Sequence, residues 1–274
     1  MPLPISAPVY AILRAHIQDR TGIHFGPDEA DVLVSKVSPR AEEAGFQSLL
    51  DYYYFLRYDP RGPAELDALV EHLVVRETYL FREFDQLRTV VRHLIAPRVA
   101  RGERVRLWSA ACATGEEPLS LAVLLAEAGL FDKVDMVASD ISRASLDMAQ
   151  TGRFSRRSLR ALPPESRHWR SLRPTEGGAV EVDPNLVSRV QWSRVNLIDA
   201  AAVAALGSFD VILCRNVLIY FDDNTTRAVV DGLVGNLRPD GVLLVSVTES
   251  LMRFGTSLIC EEHDSVFFYR KAKK

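Results

Sequence analysis

The segment from Val105 to Ser120 constrains the fold more than any other part of this chain. It reads V-R-L-W-S-A-A-C-A-T-G-E-E-P-L-S: an apolar run, small residues around Gly115, two acids and a helix start. A second apolar run, V-D-M-V-A-S-D, ends at Asp140, about 25 residues after Gly115. In nucleotide-binding folds an acid meets ribose hydroxyls at a spacing of roughly 20 residues. The pattern predicts two neighbouring parallel strands and a turn that contacts a nucleoside.

The charges of this turn narrow the choice of ligand. Only Gly115 is a glycine, so the turn does not match the dinucleotide pattern G-x-G-x-x-G, and Glu116 and Glu117 follow at once. These carboxylates would repel a pyrophosphate at the helix start, but not a cofactor that carries a sulfonium and an ammonium group. The turn therefore favours S-adenosylmethionine over a dinucleotide.

Composition excludes several classes of protein. A chain of 274 residues, 47% hydrophobic and 25% charged, is long enough for two domains, and a net charge of −3 argues against nucleic acid as a partner. Its 3 cysteines are widely spaced, which argues against disulfides and a cysteine metal site and favours a reducing compartment. Since neither a membrane-spanning run nor a signal peptide is recognisable, we expect a cytoplasmic protein without direct membrane insertion.

The periodicity of apolar residues changes along the chain. Helical spacing from Pro8 to Val75 predicts about four helices and an N-terminal all-helical domain over residues 1–83. A helical linker and alternating strands and helices then predict an α/β domain with a parallel sheet over residues 84–274. Residues 153–189, rich in proline and arginine, are too long for an ordinary connection. They are interpreted as an inserted subdomain on the sheet edge, with a solvated loop as the alternative.

Ligands of open parallel sheets bind beyond the carboxyl ends of the strands, so the residues that follow each strand are the candidate site. Glu117 is a candidate acceptor for the ammonium or ribose of the cofactor, or only favours the helix dipole. Asp140 is a ribose acceptor or a helix cap. Asn196 and Asn216 present amides to the cofactor or simply end strands. Tyr220 places a phenol near the reacting methyl or is a core tyrosine.

A separate string, R-E-T-Y-L-F-R from Arg76 to Arg82, joins the two predicted domains. Two arginines with a hydroxyl and aromatic rings between them are suited to clamp the carboxylate of the cofactor or an acidic substrate. A surface turn with solvated arginines is the alternative.

Taken together, several strings resemble the CheR-type chemoreceptor glutamate methyltransferases over nearly the whole chain. They are S-A-A-C-A-T-G-E-E-P-L-S, S-D-I at Ser139–Ile141, N-L at Asn196–Leu197, F-D-V-I-L-C-R-N-V-L-I-Y-F at Phe209–Phe221 and T-E-S-L at Thr248–Leu251. The resemblance implies a Rossmann-like class I methyltransferase domain behind a small all-helical domain, with the inserted edge subdomain. It also implies methyl transfer from S-adenosylmethionine to receptor glutamates, giving methyl esters and S-adenosylhomocysteine.

The resemblance also implies site residues. Arg82 matches an arginine close to the transferring methyl and Tyr220 the active-site tyrosine of the family. The matching cofactor contacts are Thr78, Arg82, Glu117, Asp140, Asn196, Leu197, Arg215 and Asn216. No metal is implied, the partner is the cytoplasmic helical domain of a chemoreceptor, and we expect a monomer.

The chain departs from the family pattern at three places. Arg76 stands where an asparagine is usual, Leu80 replaces a phenylalanine, and S-V-T-E at Ser246–Glu249 replaces G-H-S-E. Two other functions therefore remain as alternatives: a methyltransferase of a small molecule or RNA, and a receptor-binding scaffold without activity. Retention of Glu117, Asp140, Arg82 and Tyr220 favours the enzyme.

Overall fold

The computed structural model describes residues 2–160 and 162–273, and the chain divides into two compact units. The smaller unit contains the chain up to Val75 together with Tyr220–Thr226, and the larger contains Arg76–Ile219 and the chain from Arg227 onward. The sequence placed the boundary after residue 83, whereas the structure places it between Val75 and Arg76. The reason is that Leu80 and Phe81 are fully buried in the core of the larger unit.

The smaller unit is helical, as predicted. Its helices within the described residues are α1 (Ala7–Thr21), α2 (Ala30–Glu43), α3 (Leu49–Tyr58) and α4 (Gly62–Leu73). Gly22 ends α1 in the left-handed conformation, with its N–H bonded to the Gln18 carbonyl. Ser48 caps α3 through its hydroxyl, which accepts from the Asp51 N–H.

The core of this unit combines apolar packing with one buried polar cluster. Leu13, Ile17, Leu33, Val37 and Leu69 are fully buried, each contributing about 1.5–3 kcal/mol through burial.

In the polar cluster, Arg40 donates from Nε and Nη2 to the two oxygens of Glu65, at 2.7 and 2.6 Å. The Tyr52 hydroxyl donates to Glu65 Oε1 at 2.8 Å. Although burial alone would raise the pKa of Glu65, the bonds from Arg40 and Tyr52 outweigh it and lower that pKa. The cluster therefore fixes α2, α3 and α4 together.

A short stretch from the far end of the chain belongs to this helical unit. The His24 N–H donates to the Tyr220 carbonyl at 2.8 Å, and Gln18 Nε2 donates to Asp222 Oδ2 at 2.7 Å. Asp222 also accepts from the Thr225 N–H at 2.7 Å. Residues 220–226 are thus held by hydrogen bonds to the end of α1 and the turn after it.

The larger unit begins with the predicted helical linker. It consists of α5 (Phe84–Thr89), a wider π-helical turn (Val90–Ile95) and α6 (Ala96–Ala100). Pro97 lies in the first turn of α6 and cannot donate a backbone hydrogen bond. The Ala96 N–H reaches back five residues to the Val91 carbonyl, which accommodates the proline without breaking the helix.

The main sheet of this unit has seven strands in the order β6-β2-β1-β7-β8-β10-β9. Their bounds are β1 (Val105–Ala110), β2 (Val134–Asp140), β6 (Gln191–Arg194), β7 (Phe209–Cys214), β8 (Leu237–Leu244), β9 (Leu258–His263) and β10 (Val266–Lys271). The helices between them are α7 (Glu116–Glu127), α8 (Arg143–Ala149), α10 (Ala200–Ala205) and α11 (Asp223–Gly235). The first five strands in that order pair in parallel, and β10 is antiparallel to both neighbours. The predicted α/β class with a parallel sheet is confirmed.

The inserted segment forms a second, small antiparallel sheet. Its strands are β3 (Arg153–Phe154), β4 (Leu172–Pro174) and β5 (Val180–Val182) in the order β3-β5-β4, followed by α9 (Pro184–Val187). The chain then enters β6, an edge strand of the main sheet. Residues 153–189 were interpreted from the sequence as an inserted subdomain on the sheet edge.

Strand β8 contains a turn-like string. The residues Arg238–Gly241 read R-P-D-G, which is typical of a turn, but β8 begins before them at Leu237 and ends at Leu244. Pairing with β7 continues across the irregularity, since Phe209 pairs with Leu237 and Val211 with Val242. Residues 238–241 thus stand opposite the single residue Asp210, and Asp240 among them has a φ of 64°. The residues between Leu244 and Leu258 connect β8 to β9 beyond the carboxyl end of β8.

Candidate cofactor site

The turn after β1 lies where the strand order of the sheet reverses, because β2 follows on one side of β1 and β7 on the other. Its backbone is unusually tight: Ala111, Ala113 and Gly115 have φ values of 57°, 47° and 90°. A Cβ on Gly115 would lie 2.6 Å from the Ala149 Cβ. Gly115 is thus required both by its conformation and by close packing against α8.

Asp140 joins this turn to the end of β2. The side chain is buried, Oδ2 accepts from the Ala113 N–H at 2.8 Å, and Oδ1 accepts from the Ser142 N–H at 2.9 Å. Ser142 itself caps α8. Asp140 therefore fixes the turn after β1 to the end of β2, Ser142 and not Asp140 is the cap of α8, and the ribose contact of Asp140 stays a prediction.

Glu117 lies in the first turn of α7 and is held from two sides. The Ser109 hydroxyl donates to Oε1 at 2.6 Å, and Arg215 Nη1 donates to Oε2 at 2.7 Å. Ser109 is on β1 and Arg215 follows β7. The carboxylate is thus fixed between two adjacent strand ends, as a cofactor contact requires.

Arg215 is the centre of a buried polar cluster. Only 1% of its side chain is exposed; Nε donates to Gln86 Oε1 at 2.8 Å, and Nη2 donates to the Arg82 carbonyl at 2.9 Å. Nη2 also pairs with Glu83 Oε2 at 3.0 Å. Burial disfavours the charged guanidinium, but Glu117 and Glu83 outweigh burial and raise the pKa of Arg215. Arg215 thus positions Glu117 and the Arg82 backbone, and its direct cofactor contact stays a prediction.

The string from Arg76 to Arg82 is attached to the larger unit through its backbone. The Leu80 N–H donates to the Ser158 carbonyl at 2.9 Å, and the Phe81 N–H donates to the Ser120 hydroxyl at 2.8 Å. Leu80, the replacement for a usual phenylalanine, is completely buried. The change therefore falls in the core of the larger unit.

Thr78 and Arg82 in this string are both half-buried, whereas Arg76 is exposed. Among the described residues, the Arg82 guanidinium donates one hydrogen bond, from Nη1 to the Glu77 carbonyl at 3.0 Å. Since a guanidinium has five donors, Arg82 retains donors for a carboxylate ligand. The alternative, a surface turn with solvated arginines, fits the exposed Arg76, and the role of the half-buried Arg82 stays a prediction.

The remaining predicted residues follow β6 and β7. Asn196 is half-buried, its Oδ1 accepts from the Ile198 N–H at 3.3 Å, and Leu197 is buried. Asn216 has a φ of 59°, and its Nδ2 lies 3.5 Å from Glu83 Oε1. These residues extend the same carboxyl edge of the sheet. Tyr220 is half-buried in the smaller unit, so its alignment with Arg82 stays a prediction.

Four residues that support this site were not among the predicted site residues: Ser109, Glu83, Gln86 and Glu116. Glu116 accepts from the Thr114 hydroxyl at 2.6 Å and from the Ser158 hydroxyl at 2.9 Å, which ties α7 to the inserted segment. Glu83 directly follows Arg82 and has a φ of 53°. The sequence signal for Glu83 was its position directly after the arginine-containing string Arg76–Arg82.

The chemistry of these groups fits S-adenosylmethionine. Glu116, Glu117 and Asp140 place three buried or mostly buried carboxylates around the turn, which suits cationic groups and disfavours a pyrophosphate. Within residues 2–160 and 162–273, no group of three or more histidines, cysteines or acids is arranged to hold a metal ion. The expectation of a metal-independent enzyme stays a prediction.

The strand order of this mostly parallel sheet, with an acid-lined turn at its reversal point, defines the class of doubly wound α/β domains that bind nucleoside cofactors. Comparison with family models then identifies the family. Residues 76–267 match the CheR methyltransferase, SAM binding domain, and residues 9–74 match the CheR methyltransferase, all-alpha domain. The chain belongs to the CheR methyltransferase family.

Relatives agree with this assignment. The chain is 36% identical over 249 residues to chemotaxis protein methyltransferase 2 of Vibrio cholerae, covering 89% of this chain and 85% of the relative. It is 33% identical over 244 residues to chemotaxis protein methyltransferase 2 of Pseudomonas aeruginosa, with coverage of 88% and 85%. It is 30% identical over 257 residues to chemotaxis protein methyltransferase 1 of the same species, with coverage of 88% and 90%. The predicted family is confirmed, and with it an S-adenosylmethionine-dependent methyltransferase of chemotaxis.

Within residues 2–160 and 162–273, no helix combines the length and the apolar character that a membrane span requires.

Proposed function

We propose that this chain transfers the methyl group of S-adenosylmethionine to glutamate side chains in the cytoplasmic helical part of a chemoreceptor. The products are glutamyl methyl esters and S-adenosylhomocysteine, and the reaction serves chemotaxis-type adaptation. The observation that carries the proposal is the match to both CheR domains, in order, across residues 9–267. We place the reaction in the cytoplasm, with a monomer as the active form and no nucleic acid as partner.

The cofactor would be held at the carboxyl edge of β1, β2, β6 and β7. Asp140 and Glu117 are the acids for the ribose and ammonium groups, and Thr78, Asn196, Leu197 and Asn216 complete the contacts. Arg215 contributes through the carboxylate of Glu117, which it holds at 2.7 Å. When bound, the cofactor supplies an electrophilic methyl group on a sulfonium.

The substrate needs little chemical activation. A glutamate carboxylate has an unperturbed pKa of about 4.3 and is already ionised at neutral pH, so the attack needs no general base. Catalysis is then mainly alignment and exclusion of water, for which well-oriented reactants gain roughly 7–11 kcal/mol. Arg82 retains hydrogen-bond donors with which to steer the incoming carboxylate, and Tyr220 would orient one of its oxygens.

Transfer of a radiolabelled methyl group tests this function. The purified chain is incubated with methyl-labelled S-adenosylmethionine and the cytoplasmic fragments of the chemoreceptors encoded in the same genome. We expect label in a receptor fragment that alkali releases as methanol, because methyl esters are base-labile. Fragments with glutamine at the acceptor positions should take up none.

Two enzyme variants serve as a matched pair in this assay. Asp140→Ala removes the buried acid at the end of β2, whereas Asp147→Ala removes an exposed acid of α8. Transfer should be lost in the first variant and kept in the second. Alkali-stable label, or label that appears in small molecules or RNA, would contradict the proposed substrate.

A further inference from the structure

The loop after β8 contains an acid that the proposed function has not used. Glu249 is half-buried, and its carboxylate lies among backbone amides of two loops. Oε1 accepts from the Val217 N–H at 3.0 Å and from the Leu218 N–H at 2.9 Å. Oε2 accepts from the Asn216 N–H at 2.8 Å and from the Ser246 N–H at 3.0 Å. The four N···O distances, 2.8–3.0 Å, are those of well-formed N–H···O hydrogen bonds.

The Glu249 carboxylate is thus an anion bound in an amide nest, which is a concave set of backbone N–H groups. Three successive N–H groups at residues 216–218 point to one carboxylate, which is the geometry in which a left-handed residue turns neighbouring amides toward an anion. Asn216 supplies that left-handed residue, with a φ of 59°. Asparagine is among the few non-glycine residues that adopt this conformation, and the three bonds to Glu249 fix the amides of residues 216–218 in it.

The loop held by Glu249 is functional in the proposed reaction. Residues 216–218 directly follow Arg215, which fixes Glu117, and Asn216 is itself a predicted cofactor contact. The two loops bridged by Glu249 extend from β7 and β8, which are neighbours in the sheet.

We infer that Glu249 is a positioning residue that holds the loop after β7 in the conformation required for cofactor binding. This inference rests on the proposed function. The chain lacks the Gly-His pair that precedes this acid in the family pattern. The four bonds do not depend on that pair, because they join the side chain of Glu249 to backbone amides.

The test separates a requirement for a carboxylate from a requirement for volume. Glu249→Gln keeps the shape, but its NH2 group must face two backbone N–H groups in either orientation of the amide. Glu249→Asp is one methylene shorter and keeps both acceptor oxygens. If the side chain of Glu249 is needed for packing, the glutamine variant should stay closer to the wild type than the aspartate variant. If it is needed as an anion in an amide nest, the aspartate variant should stay closer to the wild type. Glu262→Gln, an exposed acid of β9, is the control for the change in charge.

Two quantities are measured for each variant: amide hydrogen exchange of residues 215–221 and the dissociation constant for S-adenosylhomocysteine by calorimetry. We expect Glu249→Gln to speed exchange of these amides and to weaken binding, each at least tenfold, with Glu249→Asp intermediate and Glu262→Gln unchanged. Fast exchange with binding within twofold of wild type would overturn the positioning role, as would equal losses for aspartate and glutamine.

The two possible failures are distinguishable. A wild-type chain that does not bind S-adenosylhomocysteine contradicts the proposed function, while its amide exchange still shows whether Glu249 holds the loop. If Glu249→Gln does not fold, Glu249→Asp is read by the same two measurements: wild-type exchange and affinity overturn the inference, and a loss in both supports it.

Discussion

Replacement of Arg215 by methionine should destabilise the larger unit strongly. The side chain is 1% exposed, and the two carboxylates it neutralises are also mostly buried: 13% exposed for Glu117 and 16% for Glu83. Removing one partner of a buried ion pair leaves an uncompensated buried charge and costs about 3–5 kcal/mol. At about 2–4 °C per kcal/mol for a unit of this size, Tm should fall by about 6–20 °C.

A conservative variant refines this magnitude. Arg215→Lys keeps the positive charge, but an ammonium has three donors, whereas the guanidinium makes bonds to Gln86, Glu117, Glu83 and the Arg82 carbonyl. Loss of at least one hydrogen bond to a charged group predicts a cost of about 1.5–3 kcal/mol. The lysine variant should therefore lie between the wild type and the methionine variant.

The assay is urea unfolding of the full chain without cofactor. Arg88→Met is the control, because Arg88 pairs with Asp85 at 2.7 Å and both side chains are exposed, 42% and 74%, and such pairs contribute about 0–1 kcal/mol. Adding Glu117→Gln to Arg215→Met should recover part of the loss, since it removes one of the unpaired charges. A loss below about 1 kcal/mol for Arg215→Met, or no recovery in the double variant, would refute the buried-charge argument.

Three further predictions concern other positions. The ring nitrogens of the buried His16 have no hydrogen-bond partner among the described residues, and its pKa is lowered mainly by burial and also by nearby arginines. The free energy of unfolding should therefore fall as pH drops below about 6.5. In the His16→Phe variant, the midpoint of urea unfolding should change less between neutral and mildly acidic pH than in the wild type. Gly115→Ala is destabilised both by its φ of 90° and by the clash with Ala149, whereas Gly129→Ala, at φ 68° with nothing within 4 Å, is destabilised only by its conformation. Urea unfolding should show a loss of about 1–2 kcal/mol for Gly129→Ala and a larger loss for Gly115→Ala. Equal losses would contradict the packing argument. Arg82→Ala should lower the methyl-transfer rate at least about tenfold, or 1.4 kcal/mol, and cofactor affinity much less; equal losses in radiolabel transfer and calorimetry would exclude the steering role.

Local patterns were sufficient to predict the elements of this fold. The alternation of apolar runs and helical periods predicted the order of strands and helices from Val105 to Tyr269, and the proline-rich composition of residues 153–189 predicted a separate small element. Local patterns did not show that β8 continues across a turn-like string. Residues 238–241 stand opposite the single residue Asp210, with Asp240 left-handed, so the string R-P-D-G is an irregularity within β8 and does not precede it.

The places of Asp140 and Glu117 in the fold were predictable, since Asp140 ends β2 and Glu117 lies at the start of α7, and their cofactor contacts stay a prediction. The contacts between the side chains were not predictable. Arg215 bonds to Gln86, 129 positions away in the chain, and nothing in the pattern around either residue indicates that pairing. Glu249 lies in a string that resembled the family, yet its role depends on amides of a different loop. Such long-range polar contacts follow from the assembled sheet and not from local periodicity.

Calorimetric titration of the purified chain with S-adenosylmethionine and S-adenosylhomocysteine tests the central claim most directly, because it requires no knowledge of the receptor. The account predicts binding in the micromolar range by the wild type and by Asp147→Ala, and its loss in an Asp140→Ala variant whose thermal unfolding remains cooperative. Absence of binding of either ligand to the wild type, or unchanged binding by Asp140→Ala, would contradict the assignment of the β1–β2–β7 edge as the cofactor site.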